Sequence, residues 1–187
     1  MIEFDCILLL AGSSQRAGLG YNKVFYKIND KPLYYYSLVK FLAFPNMNNL
    51  IIVCKKEEEK EIKDYVNSVT TDKRIMYVAG GDTRGASVYN GMLHVASEYV
   101  LIHDGARPLI SKKDIQNVVN GLEVSKSVAL VSEVTESVRR VTGNRNRIVE
   151  RKNLVLMKTP QGLKTDVFLK SLEKARKENL QFTDDVS

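Results

Sequence analysis

Residues 8–23 read LLLAGSSQRAGLGYNK. An apolar run, Phe4 to Leu10, enters this stretch and ends on Ala11-Gly12. A polar loop bearing Gly18 and Gly20 follows, and Arg16 and Lys23 are its only cations. A strand that feeds a small-residue loop lets backbone N–H groups approach an anion closely, because little side-chain bulk intervenes. Two cations on the same loop point to a polyphosphate. The stretch therefore reads as a nucleoside-triphosphate cradle, against an ordinary surface connection between strand and helix. It is neither of two common glycine motifs. A P-loop needs Gly-Lys before Ser or Thr, and the chain has no Gly-Lys pair; a dinucleotide loop needs G-x-G-x-x-G, and Gly12 is followed by Ser13, Ser14, Gln15 and Arg16.

The remainder of the chain supplies a setting for such a loop. Its 187 residues suffice for one domain with a full core. Nothing approaches the roughly 20 apolar residues of a membrane-spanning helix. Glu3 and Asp5 precede a short apolar run, which is unlike a secretory signal. Cys6 and Cys54 both sit in apolar runs and read as buried free thiols, which suits a reducing cytoplasm. A net charge of +6 suits anionic ligands. The cations are scattered without a basic stripe, so neither a nucleic acid nor a membrane is the expected partner.

Apolar runs then alternate with amphipathic stretches. Strands are expected at Phe4–Leu10, Leu50–Cys54, Ile75–Val78, Tyr99–His103 and Ser127–Val131. Pro32 opens a helix with Tyr34, Leu38, Phe41 and Leu42 on one face. Lys56–Val69 reads as a helix burying Ile62, Val66 and Val69, and Thr83–Ser97 as one burying Val88, Met92 and Val95. Ser111 with Asp114 forms a capping box for a helix carrying Ile115, Val118, Val119 and Leu122. Lys164–Lys177 is a last helix with Phe168, Leu172 and Ala175 inward, and Thr183-Asp184-Asp185 reads as the start of another. The alternation predicts an α/β fold around a mainly parallel sheet, with ligands at the carboxyl ends of its strands.

Residues 134–157 break this rhythm. Val138–Thr142 and Arg147–Glu150 flank Gly143-Asn144, a hairpin signal. An isolated two-stranded ribbon is marginal in water. This arm either leans on a second copy of the chain or forms a solvated edge of its own sheet.

Two further loops carry chemistry. In residues 80–87, GGDTRGAS, the glycines permit close approach, and Asp82 and Ser87 can face a polar base edge. Alternatively Asp82 caps the following helix and Arg84 makes a structural ion pair. In residues 103–108, HDGARP, Asp104 at a strand end facing a polyphosphate can carry Mg²⁺, which takes one or two carboxylates plus phosphate oxygens. Arg107 can bind a second phosphate, and His103, with no metal-spaced partner, reads as structural. No Ser/His/Asp or Cys/His arrangement suggests a covalent nucleophile, so direct phosphoryl-type transfer by positioning and charge neutralisation is expected.

With LLLAGSSQRAG, Asn22-Lys23, GGDTRGASVYNG, HDGARP, TESVRR, KTPQ and TDD in this order, the chain resembles the 2-C-methyl-D-erythritol 4-phosphate cytidylyltransferase family of the non-mevalonate isoprenoid pathway. The resemblance implies one Rossmann-like nucleotidyltransferase domain over residues 1–187, with a β-arm exchanged across a homodimer. It implies a reaction of CTP with methylerythritol phosphate, using Mg²⁺. It implies Arg16 and Lys23 as transition-state cations, and Ala11, Gly12, Gly81, Asp82 and Ser87 around the nucleotide. Asp104 would face the metal, and Arg107, Ser137, Arg151 and Thr159 the alcohol phosphate, with Arg151 lent by the partner's arm. The Ser137 position is often Thr in the family. The family continues past TDD to a strand carrying Asn-Ile-Lys, so a longer natural chain is expected. A sister activity on ribitol 5-phosphate, or a silent nucleotide-binding module, would share this framework.

Overall fold

The computed structural model describes residues 2–12, 18, 20–178 and 184–186. Its centre is a six-stranded sheet built from β1 (Phe4–Leu9), β4 (Met47–Cys54), β5 (Ile75–Ala79), β6 (Tyr99–Asp104), β7 (Ser127–Glu133) and β10 (Val155–Lys164). Two minor strands, β2 (Lys27–Ile28) and β3 (Lys31–Pro32), form a small hairpin between β1 and the first helix. The spatial order is β5-β4-β1-β6-β10-β7. β1 pairs in parallel with β4 and β6, and β4 with β5. β10 runs antiparallel to both β6 and β7, so it alone opposes the common direction, and the mainly parallel sheet expected from the alternation is present.

Helices cover both faces: α1 (Leu33–Leu42), α2 (Glu59–Val69), α3 (Arg84–Met92), α4 (Lys112–Gly121) and α5 (Thr165–Lys177). The two-residue period of a strand sorts its side chains between them. Cys6 and Leu8 of β1 join one core with Leu38, Ile62 and Val118 from α1, α2 and α4. Ile7, between them, joins the other with Val88, Met92, Phe168 and Leu172 from α3 and α5. These side chains are almost fully buried, and each full burial of this kind contributes about 1.5–3 kcal/mol. A sheet buried on both faces is what near-continuous apolar strands encode.

Four local expectations need correction. Val69 is 42% exposed rather than buried, because it is the last residue of α2, at the frayed edge of the apolar stripe. α3 stops at Met92 instead of reaching Ser97. After it the backbone tightens, with His94 N bonded to Gly91 O, and then turns so that Ala96 N and Ser97 N donate to the buried Asp5 carboxylate (2.7 and 3.0 Å). Val155–Lys164, absent from the expected strands, is a ten-residue strand that passes through Thr159. Pro160, which cannot donate to a ladder, is accommodated by a register shift between Met157 and Gln161. Finally, Asp184 to Val186 are not helical, and Thr183 lies outside the described residues.

The arm is a separate two-stranded ribbon, β8 (Val138–Thr142) and β9 (Arg145–Val149), turned by Gly143-Asn144 with Gly143 at φ +56°. Directly paired residues share a face. One face carries the pairs Arg140–Arg147 and Thr142–Arg145, the other Arg139–Ile148 and Val141–Asn146. Val141 and Ile148 are 70% and 72% exposed.

Candidate active site

The parallel register aligns the strand ends. Leu9 of β1 lies beside Val53 of β4 on one side and Asp104 of β6 on the other, and Cys54 lies beside Ala79 of β5. The three chemical loops therefore leave the sheet at one rim. They touch: a methyl group added at Gly80 would lie 2.5 Å from Ala11 Cβ, and one at Gly105 would lie 2.1 Å from Leu10 Cδ2. Backbone bonds from Gly80 N to Cys54 O (2.8 Å) and from Gly105 N to Leu9 O (2.9 Å) extend the ladders into the loops. Glycine at these positions is thus what allows the loops to close on one another.

Ala11, half-buried, and Gly12, exposed, begin the first loop. Arg16 lies outside the described residues, as do its neighbours 13–15 and 17. The far end of the loop is tied back to its start. Asn22, buried, donates from Nδ2 to Leu10 O (2.7 Å) and to Glu58 Oε2 (2.9 Å), while its Oδ1 caps the short 3₁₀ turn Lys23–Phe25. Lys23 opens that turn and is exposed at the same rim.

In the second loop the helix cap is Thr83, not Asp82: its side chain accepts from Ala86 N at 3.0 Å. Asp82 is left exposed. Ser87 is buried, and its hydroxyl bonds both the N–H (3.1 Å) and the carbonyl (3.3 Å) of Gly81, which fixes the glycine turn from beneath.

In the third loop Asp104 is gripped by two guanidinium groups. Arg107 Nε donates to Oδ2 at 2.8 Å, and Arg84 reaches Oδ1 at 3.5 Å. Burial works against the Asp104 carboxylate, but Arg84 and Arg107 outweigh it and hold its pKa below the ordinary range. Arg84 is itself held by a fork–fork pair to Asp185 (2.8 and 2.6 Å). Asp185 also receives its position from Gln161, whose side-chain oxygen accepts from the Asp185 N–H at 2.7 Å. Burial dominates at Asp185 and raises its pKa, with the Arg84 bond pulling the other way. Sequence reading missed Asp185 as part of this cluster, because 101 positions separate it from Arg84. The only local signal was an acid pair, which reads equally well as a helix start.

Beneath the loop lies His103, fully buried. Thr159 Oγ1 is 3.0 Å from its Nδ1, and Ser37 Oγ is 3.1 Å from its Nε2. Burial pushes its pKa down to about 4, against an opposing pull from Asp104. Thr159 in turn accepts from Asp104 N at 3.3 Å, so β10 is joined to the Asp104 loop. Ser137 and Arg151 are not brought to this cluster. Both are exposed on the arm, and Arg151 Nη1 donates to the Thr135 carbonyl within it.

A Mg²⁺ at this rim would be of the phosphate-assisted kind. No group of three or more His, Cys, Asp or Glu that could cage an ion occurs among the described residues. A single carboxylate at the rim, completed by phosphate oxygens and water, is the mode Mg²⁺ adopts at nucleotide sites. Asp104 has about four lone-pair directions and spends two on the arginines.

Residues 5–187 match the family model IspD, 2-C-methyl-D-erythritol 4-phosphate cytidylyltransferase. The enzyme of that name from Clostridium botulinum is 35% identical over 188 residues, covering 97% of this chain and 82% of the relative. That from Bacillus thuringiensis is 32% identical over 186 residues, covering 98% and 82%. Among solved structures, the 4-diphosphocytidyl-2C-methyl-D-erythritol synthase of Anaerococcus prevotii superposes with a TM-score of 0.87 at 24% identity, covering 98% of this chain and 79% of that one. The Francisella tularensis 2-C-methyl-D-erythritol 4-phosphate cytidylyltransferase gives 0.79 at 26% identity, covering 98% and 83%. The fold is thus the Rossmann-like nucleotidyltransferase fold, and the chain belongs to the 2-C-methyl-D-erythritol 4-phosphate cytidylyltransferase family.

Proposed function

We propose that the protein transfers the cytidylyl group of CTP to 2-C-methyl-D-erythritol 4-phosphate. The products are 4-diphosphocytidyl-2-C-methyl-D-erythritol, an intermediate of non-mevalonate isoprenoid synthesis, and pyrophosphate. Family membership supplies the reaction. The observation that carries it in this chain is the meeting of three glycine-bearing loops at one sheet rim around the Asp104–Arg84–Arg107 cluster. A phosphate oxygen of the alcohol forms a bond to the α-phosphorus of CTP as the bond to the pyrophosphate oxygen breaks. The protein need supply no nucleophile, only positioning and charge.

The roles divide by loop. Ala11 and Gly12 present backbone N–H groups to the phosphates. Gly81, Asp82 and Ser87 border the cytosine. Arg16 and Lys23 stabilise the negative charge that accumulates at the α-phosphorus. Arg107 and Thr159 hold the phosphate of the alcohol, with Ser137 and Arg151 contributed by an arm. Asp104 would hold Mg²⁺, which when bound with the triphosphate neutralises phosphate charge and favours pyrophosphate departure.

The arm belongs to a homodimer on this reading. Its support is the two-faced ribbon, whose Val141 and Ile148 lie largely uncovered. A lone ribbon of that kind gains little stability in water. The cytoplasm is the proposed compartment, which suits two buried free thiols.

Pyrophosphate release tests the assignment. CTP with methylerythritol 4-phosphate should give steady turnover, and CTP with ribitol 5-phosphate should give little. Faster turnover of the ribitol substrate would transfer the protein to the sister activity. Binding of CTP without release from either alcohol would make it a silent nucleotide-binding module.

A further inference from the structure

His103 and Ser37 have been given no part in the reaction, yet their hydrogen bonds end on candidate site residues in both directions. Ser37 lies on α1, fully buried, and His103 is its neighbour across the core, with the Phe41 ring 5.4 Å from the imidazole. Hydroxyl and carbonyl oxygens line the two ring nitrogens, the Thr159 backbone carbonyl among them. Thr159 Oγ1 is 3.0 Å from Nδ1, Ser37 Oγ is 3.1 Å from Nε2, and the Arg107 carbonyl is 3.3 Å from Nε2. Two further bonds close the set: Asp104 N to Thr159 Oγ1 (3.3 Å) and Ser37 Oγ to the Arg107 carbonyl (3.2 Å).

One arrangement of protons satisfies all of these bonds. The Asp104 N–H can only donate, so Thr159 Oγ1 accepts from it and spends its own hydrogen on His103 Nδ1. The Arg107 carbonyl can only accept. Ser37 donates to it, and Nε2 then carries the hydrogen that reaches the Ser37 oxygen and the carbonyl. With the proton on Nδ1 instead, Nε2 would face the Arg107 carbonyl lone pair to lone pair. The Nε2–H form leaves none of these buried groups unpaired. The result is one directed chain: Asp104 N–H, Thr159, His103, Ser37, Arg107 carbonyl.

We propose that His103 and Ser37 are positioning residues for cytidylyl transfer: the neutral Nε2–H imidazole, relayed by Thr159 on one side and Ser37 on the other, fixes the backbone at both ends of the Asp104–Arg107 turn. That turn carries the candidate metal carboxylate and the candidate alcohol-phosphate guanidinium, so its backbone sets where both meet the substrates. The proposal rests on the functional reading above. Small misplacements of a positioned group are costly to catalysis, and truncating Ser37 loosens only the Arg107 end.

The test pairs spectroscopy with kinetics. ¹⁵N NMR of the imidazole in the full chain at neutral pH should show a pyridine-type Nδ1 and a pyrrole-type Nε2. Ser37→Ala should raise KM for methylerythritol 4-phosphate about five- to tenfold, while KM for CTP stays within about twofold. His103→Asn, which keeps an acceptor for Thr159 and loses the Ser37 link, should show the same split. If that variant fails to fold, Ser37→Ala and the wild-type spectrum still decide. Wild-type turnover accompanied by an Nδ1–H imidazole, or by a Ser37→Ala variant with both KM values unchanged, overturns the positioning role and leaves the functional reading standing. No pyrophosphate release by wild-type protein overturns both.

Discussion

The two halves of the candidate site are built on opposite principles. At the β6 end, Asp104, Arg84, Arg107, Thr159 and His103 are wired to one another and to the core by hydrogen bonds spanning up to 101 residues of sequence. On the arm, Ser137 and Arg151 stand exposed, Arg151 bonds locally to the Thr135 carbonyl, and Val141 and Ile148 are largely uncovered. A wired half holds its charges in place before any substrate arrives, which is the basis of electrostatic preorganisation. A ribbon with uncovered apolar side chains gains stability when something packs against it, and a second copy is the proposed partner. The difference teaches that the rate should reside in the core half. Alcohol binding and assembly should depend on the arm.

The sharpest way to break that division is Lys23→Ala. Loss of a transition-state cation should lower kcat about 10²–10³-fold and leave CTP affinity within about tenfold, read from steady-state kinetics. A Lys23→Ala enzyme with wild-type kcat would remove this residue from the chemistry.

Acid should discriminate the halves next. Burial pushes the His103 pKa from its ordinary value near 6.5 down to about 4. Its folded-state pKa is lowered, so its contribution is complete above pH 6.5 and is lost as pH falls towards 4. The loss amounts to about 3 kcal/mol. Asp104, also lowered, adds to it at lower pH, whereas the raised Asp185 opposes it. Denaturant titrations at pH 7 and pH 4.5 should show the drop, and His103→Asn should flatten it. A His103→Asn profile as steep as wild type would assign the acid loss elsewhere.

Gly80→Ala should cost about 1–3 kcal/mol of stability, because its new methyl would meet Ala11 Cβ at 2.5 Å. Adding Ala11→Gly should restore most of it, as expected if the two loops abut. Additive losses in the double variant would show that they do not.

The smallest effect on folding belongs to the arm. Val141→Lys and Ile148→Lys should change monomer stability by less than about 0.5 kcal/mol, as for other exposed positions. Both should weaken self-association on a sizing column. Association unaltered by both changes would remove the apolar face from the interface.

The sequence made some of this legible and hid the rest for physical reasons. The parallel core was readable because strand and helix periods differ, and Cys6, Ile7 and Leu8 show the alternation directly. The Ser111–Asp114 capping box was readable because both of its bonds are local, and both are present. Asp82 was harder: it and Thr83 are both good caps, and only the backbone geometry chooses Thr83. β10 was hidden because Pro160 cannot donate to a ladder, and only a register shift seats it between two neighbours. The early end of α3 depends on Asp5, 91 residues away, and the grip on Arg84 depends on Asp185. Such partners share no local pattern. They become adjacent only once the sheet has formed.

One mixing experiment tests the shared site most directly. Lys23→Ala and Arg151→Ala proteins, each with little activity alone, are allowed to exchange subunits and assayed for pyrophosphate release from CTP and methylerythritol 4-phosphate. If one chain's arm completes its partner's core, half of the sites in each mixed dimer are intact. Statistical mixing of two-fold dimers then restores about one quarter of wild-type activity. Activity no higher than the average of the two variants would contradict the account, placing Lys23 and Arg151 in the same subunit's site or Arg151 outside the site.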